Sequence, residues 1–371
     1  MTRNAGGTAA TAATAATART AETTATASAA TAIETATAVG VAGTTHLPGH
    51  GRRYVLVTPA RNEAAHIAAT LRSVLAQTEP PLRWVVVSDG STDGTDEVVT
   101  RYLPSCPWLR LLRRPAREAR HFAGKAQAFA AGQAALSDLD YDFIANLDAD
   151  ITVDPDHFAY LLDQFAADPR LGVAGTPYRE GERQYDYRYT SIEHVSGACQ
   201  MFTRACFAAV GGYQAMPGGG IDWVAVTSAR MLGWRTRTFC ARVCQHHRPM
   251  GSAQTGSELA ARWRLGHKDY VLGGHPLWQA ARALYQAHRP PRVLGALCLW
   301  AGYVHAWACG AETTVSDELK QFHRQEQMQR LRAQLTQLTQ RRSSFAPLVP
   351  LAGALRAWCA RKGRHRPSTP A

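Results

Sequence analysis

Apolar and polar positions change period several times along the chain, and each change marks an element. The apolar run over 54–58 (YVLVT) has the length and β-branched content of a buried strand. After a polar loop over 59–63, Ile67, Leu71, Val74 and Leu75 recur at helical spacing, which predicts a helix with Asn62 as its N-cap. The run over 84–87 repeats the strand signature and ends at Ser88-Asp89-Gly90, after which Val98, Val99, Tyr102 and Leu103 mark a second helix. A small-residue helix over 124–132 leads to a third strand over 142–147. Asp154-Pro155 then reads as N-cap and N1 proline of a helix holding Phe158, Leu161, Leu162 and Phe165. Strands and helices alternating through short links predict an α/β fold, with a mostly parallel sheet covered on both faces. Such sheets bind ligands beyond the carboxyl ends of their strands, so these loops should share one edge.

The two ends of the chain lack this alternation. Residues 1–51 are mostly Ala and Thr, with no aromatic, and the composition predicts a disordered segment whose removal leaves folding intact. Thr interrupts the alanines too often for a secretory signal. Residues 251–371 read as a basic, Trp-rich helical region: 17 Lys and Arg stand there against 6 Asp and Glu, so this third carries nearly all of the +12 formal charge. The stretch 293–311 has no Asp, Glu, Lys or Arg but barely reaches the length of a membrane span. A helix lying in the membrane interface through Trp300, Tyr303 and Trp307, or buried against the α/β domain, is the expectation instead. Together with the terminal cluster Arg361, Lys362, Arg364 and Arg366, the tryptophans suggest an anionic membrane surface as partner. Eight cysteines without a Cys-X-X-Cys pair read as reduced thiols.

The chemistry is concentrated where the third strand ends, at Asp148-Ala149-Asp150. Residues two apart in an extended segment share a face, so both carboxylates can address one hard cation and, through it, a diphosphate. An isolated Asp-X-Asp is also a common strand-end turn. Its order among other stretches carries more: VTPARNEAAHI at 57–67, VSDGSTDGT at 87–95, GKAQAFAAG at 124–132, NLDAD at 146–150 and GACQMFTRACFAAVGGY at 197–213.

In this order and spacing the five stretches resemble glycosyltransferase family 2, and the resemblance implies a GT-A fold over 52–250. It implies that Asp89 accepts a hydrogen bond from the nucleotide base, with Pro59, Arg61 and Glu63 lining the same pocket. Lys125 would face the ribose or diphosphate, where a compact cation offsets phosphate charge. Asp150 would be the principal metal ligand, ahead of Asp148, with Mg2+ or Mn2+ as cofactor. An inverting transferase also needs a base for the acceptor hydroxyl. Pro217-Gly218-Gly219-Gly220-Ile221-Asp222 fills the place of the family's glycine-rich loop and Glu-Asp pair, with Ile where Glu is usual, which leaves Asp222 as the base. A late histidine often adds a metal ligand in GT-A enzymes. Either of His246 and His247 can serve, and His247 is taken here.

These assignments imply an inverting transfer of one sugar from a nucleoside-diphosphate sugar, a UDP-sugar by preference, to a hydroxyl acceptor that can be lipid-linked. Exopolysaccharide or another envelope glycan is the implied product, at the inner face of the plasma membrane. Arg262-Trp263 matches only the end of the Gln-X-X-Arg-Trp motif of processive relatives, since Leu259 replaces the glutamine, which argues for single addition. Transfer to polyprenyl phosphate is the nearest rival. A nucleotidyltransferase would need a glycine-rich, arginine-containing loop after the first strand, which is missing. A nucleic-acid-binding role would explain the basic tail but not Asp89, Lys125, Asp148, Asp150 and Asp222 arriving together.

Overall fold

The computed structural model describes residues 52–115, 123–181, 183–184, 191–216, 218–248 and 257–343, without the side chains of 183–184 and 338–343. The segment 1–51, residues 116–122, Pro217 and the terminal cluster Arg361, Lys362, Arg364 and Arg366 lie outside them. The chain divides into two compact units between Ser257 and Glu258.

The first unit is built on seven strands in the order β10-β6-β9-β4-β1-β2-β3. β1 (Tyr54–Ala60), β2 (Arg83–Asp89) and β4 (Phe143–Leu147) run parallel, as the alternation of elements predicts, and β3 (Leu109–Arg114), a strand the sequence reading lacked, joins them in parallel beside β2. β6 (Leu171–Gly175) and β10 (Arg235–Thr238) form a second parallel pair. Between them β9 (Cys199–Thr203) runs antiparallel to both β4 and β6, a strand absent from the sequence reading. Gln200 interrupts its apolar pattern yet is fully buried, because its side chain donates to Val195 O at 2.6 Å and accepts from Tyr213 Oη at 2.5 Å. A paired buried amide is tolerated where an unpaired one is costly.

Successive strand residues serve opposite layers. Val55, Val57, Val85, Val87 and Ile144 pack with Phe129 and Phe207 on one face, while Leu56, Trp84, Val86, Phe143 and Ala145 pack with Leu71, Phe158 and Phe165 on the other. Both faces are dry, which is why these strands read as continuous apolar runs. α3 (Ala123–Ala134) lies close on the sheet: a Cβ at Gly132 would come within 2.6 Å of Val57 Cγ1.

Two expected helix caps are used differently. α1 (Ile67–Leu75) starts from the carbonyl of Glu63, while Asn62, at a left-handed φ of 56°, accepts from the Thr92 amide at 2.8 Å and so ties the loop after β1 to the loop after β2. α4 (His157–Ala167) begins beyond Asp154-Pro155, and Asp154 contributes only its carbonyl, to His157 N–H. α2 (Thr95–Thr100), α5 (Arg204–Ala209) and α6 (Ile221–Met231) complete the helices of this unit.

A smaller sheet, ordered β5-β11-β7-β8, is formed by β5 (Ile151–Thr152), β7 (Tyr178–Glu180), β8 (Arg183–Gln184) and β11 (Cys244–His246). β5 follows Asp150 directly, and its antiparallel pairing of Ile151 with His246 brings β11 to the end of β4.

The second unit contains α7 (Glu258–Val271), α8 (Pro276–Gln286), α9 (Arg292–Ala308) and α10 (Asp317–Ser343). α7 and α9 approach through glycine, since a Cβ at Gly266 would strike the Leu299 carbonyl and one at Gly302 the Trp263 carbonyl. Of the two expectations for α9, burial or a membrane interface, Tyr303 follows the first: it is buried with its hydroxyl donating to Gly274 O at 2.8 Å. No helix among the described residues is long and apolar enough to cross a membrane. The seven described cysteines are all free.

Candidate active site

The loops after β1 and β2 are stitched into one surface. Asp93 accepts from the Ala64 amide at 2.9 Å and from the Thr95 amide and hydroxyl, and Thr95 Oγ1 in turn accepts from the Glu63 amide at 2.8 Å. Burial pushes the Asp93 carboxyl up, but these hydrogen bonds outweigh it and hold the group below its ordinary value. Asp93 is therefore a loop fastener. Asp89 ends β2 almost fully buried, and the β2–β3 register sets it opposite Arg114, whose Nη1 lies 2.7 Å from Asp89 Oδ1. Pro59 and Arg61 are half-buried at the end of β1 and in the loop after it, and Glu63 is buried against the guanidinium of Arg248.

At the end of β4 the contacts converge on one residue, Gly197. Lys125 Nζ lies 2.5 Å from Asp148 Oδ1 and donates to Gly197 O at 3.1 Å. Asn146 Nδ2 donates to the same two acceptors, at 3.1 Å to Asp148 Oδ1 and 2.6 Å to Gly197 O. On the other side of the residue, the Gly197 amide donates to Asp222 Oδ2 at 3.1 Å. Asp222 lies in the first turn of α6, whose N-cap is Gly220, so its carboxylate braces Gly197 and does not cap the helix from the N-cap position. Burial raises the Asp148 carboxyl above its ordinary value and the nearby Asp150 adds to this, while Lys125 and Asn146 oppose it.

Asp150 is buried at 8% exposure and meets two side chains that follow from β11. His246 Nε2 is 3.5 Å and Arg248 Nε 3.3 Å from Asp150 Oδ2. His247 points elsewhere: its side chain is exposed, with Nε2 on Thr152 Oγ1 at 2.9 Å, and only its backbone amide reaches the Asp150 carbonyl. The structure thus sets His246, rather than the expected His247, beside the Asp150 carboxylate. His246 Nδ1 is buried without a hydrogen-bond partner, with Glu180 Oε1 3.8 Å away. Two carboxylates and an imidazole are donor types that suit Mg2+ or Mn2+. Among the described residues, however, no three His, Cys, Asp or Glu side chains are grouped to hold an ion by themselves. An ion here must complete its shell from water and ligand.

The family description "Glycosyl transferase family 2" matches residues 55–212. Those residues are a family 2 glycosyltransferase domain. Among curated relatives, poly-beta-1,6-N-acetyl-D-glucosamine synthase of Staphylococcus aureus (strain COL) is 29% identical over 136 residues, which is 36% of this chain and 31% of that protein. The match thus spans less than a third of the length of the relative. Similar solved structures include a mannosyltransferase, PcManGT from Pyrobaculum calidifontis, in complex with GDP-Man and Mn2+, at 21% identity and TM-score 0.47 over 89% of this chain and 90% of that one. Another is S. aureus TarS 1-349 in complex with UDP-GlcNAc, at 14% identity and TM-score 0.45 over 73% and 78%.

The candidate site contains several residues whose part in it the sequence did not show. Arg114 faces Asp89, Asn146 shares the acceptors of Lys125, Gly197 joins Lys125 to Asp222, and Arg248 joins Glu63 to Asp150. Of these, Asn146 and Gly197 lie inside stretches that carried the resemblance, so their positions were visible and their roles were not. Asp222, His246 and Arg248 lie beyond the matched span.

Proposed function

We propose that the chain is an inverting glycosyltransferase that moves one sugar from a nucleoside-diphosphate sugar, a UDP-sugar by preference, to a hydroxyl of a growing glycan. The observation that carries the reading is Gly197, whose amide donates to Asp222 and whose carbonyl accepts from Lys125 and Asn146. A base and a leaving-group cation are thereby fixed one residue apart. In this reading the acceptor oxygen attacks the anomeric carbon from the side opposite the diphosphate and loses its proton to Asp222. The sugar–phosphate C–O bond breaks, and its electron pair leaves on the diphosphate beside Lys125. Asp89 and Glu63, with Pro59 and Arg61, would form the nucleotide pocket, while Asp148 and Asp150, beside His246, would hold Mg2+ or Mn2+ only together with the diphosphate. Such an ion, when bound, neutralises charge on the departing diphosphate. The relative that bears a polysaccharide synthase name supports exopolysaccharide or another envelope glycan as the product.

We also place the protein at an anionic membrane surface, peripherally and on the cytoplasmic side. Support comes from the end of α8 and the start of α9, where Leu284, Val293, Leu294 and Leu297 are 57–72% exposed and Arg289 and Arg292 are exposed as well. Residues 270–311 contain no Asp or Glu, so nothing there repels an anionic headgroup.

The test is Asp222→Asn. Turnover with a hydroxyl acceptor should fall at least about 100-fold, the scale of a lost general base, while calorimetry shows nucleotide-sugar affinity unchanged. Near-normal turnover would instead favour polyprenyl phosphate, an acceptor already anionic.

A further inference from the structure

Arg248 joins two loops that are distant in sequence. Its guanidinium meets Glu63, from the loop after β1, and its Nε lies 3.3 Å from Asp150 Oδ2, at the end of β4. Both carboxylates are only 8% exposed, and two such groups side by side are costly unless a cation lies between them. A planar, multi-donor guanidinium suits that place, since it can satisfy two carboxylates at once.

We propose that Arg248 is a stand-in cation: its guanidinium holds the electrostatic place of the divalent ion at Asp150, and the ion enters by exchange with it when donor is present. The inference rests on the metal and donor reading given above. Two cations at contact distance from one carboxylate repel each other, so an ion at Asp150 must drive the guanidinium away. The protein alone offers little to drive that exchange, because no three acidic, His or Cys side chains among the described residues are grouped around an ion. A diphosphate supplies both missing parts, oxygen ligands for the ion and a new anion for the displaced guanidinium. Ion and donor should therefore bind each other's complexes more tightly than the free protein, by the same factor in either order.

Calorimetry of Mn2+ binding to the full chain, with and without UDP, tests this. Wild type should bind Mn2+ weakly alone and more tightly with UDP. Arg248→Gln should bind Mn2+ alone about tenfold more tightly than wild type, with a smaller gain from UDP. Arg248→Lys keeps the charge but cannot span both carboxylates, and should fall between. Arg242→Gln, which removes a cation paired with Asp156, should match wild type and exclude a general effect of charge. Equal or weaker Mn2+ binding by folded Arg248→Gln overturns the inference. If that variant does not fold, Arg248→Lys decides, and a dissociation constant equal to wild type overturns it. Should Mn2+ bind all variants alike but only with UDP, the exchange fails and the metal reading stands. No Mn2+ binding to any variant, even with UDP, removes both.

Discussion

Gly197 shows how much of a site can depend on a missing side chain. A Cβ there would lie 2.8 Å from Asp222 Cβ and 3.0 Å from its carboxylate. Gly197→Ala should push Asp222 aside, and a displacement near 1 Å costs on the order of 100-fold in turnover. The stability loss should stay within roughly 1–3 kcal/mol, the usual scale of overpacking. Activity and melting temperature measured on the same preparation check this, and a fully active Gly197→Ala enzyme would show that Asp222 is not held by the contact. At this scale the sequence exposed charges and hid their supports. Asp89, Lys125, Asp148, Asp150 and Asp222 were readable because residue type and motif order marked them. Gly197 and Arg248 were not, because a glycine amide and one arginine among many acquire meaning only from what lies opposite.

Elements decide which of two neighbouring side chains enters a site. β11 alternates, with Cys244 buried, Gln245 exposed and His246 turned to Asp150, so His247 falls on the other side. Sequence alone could not choose, since the phase of that strand is set by its pairing with β5. α4 offers a measurable consequence of burial. His157, at its first position, is fully buried with Nε2 3.4 Å from Cys199 Sγ and Nδ1 without a partner. Burial pushes its imidazole down to about 4, an effect to which Arg242 adds and which Asp156 opposes. The folded value lies below the unfolded one, so the unfolded chain takes up the proton first as pH falls. The stabilising effect of neutral His157 is complete above the unfolded value near 6.5 and declines until about pH 4. Between pH 7 and 5 the loss should be about 2 kcal/mol. Urea unfolding at the two pH values should show this drop in wild type and a smaller one in His157→Gln. Parallel losses in both proteins would assign the acid sensitivity to other groups.

For the molecule as a whole, the question is what the second unit adds to the family 2 domain. Its exposed leucines and arginines argue for reversible attachment to an anionic surface. Each leucine taken out of water contributes roughly 1.5–3 kcal/mol. Leu294→Asp/Leu297→Asp should therefore weaken sedimentation with phosphatidylserine vesicles by at least about tenfold, with melting temperature and turnover on a soluble acceptor retained. High salt should release the wild-type protein. A wild type that stays in the supernatant at low salt would end the membrane reading. The sequence by itself determined the alternation of strands and helices, the dry sheet and the acidic loop ends, because each is encoded within a few residues of its own position. Tertiary structure alone decided the antiparallel β9 between two parallel groups, the turning of His246 inward, and the meeting of Arg248 with Glu63 across 185 residues. Those contacts depend on which loops a twisted sheet brings to one edge, and no local period carries that information.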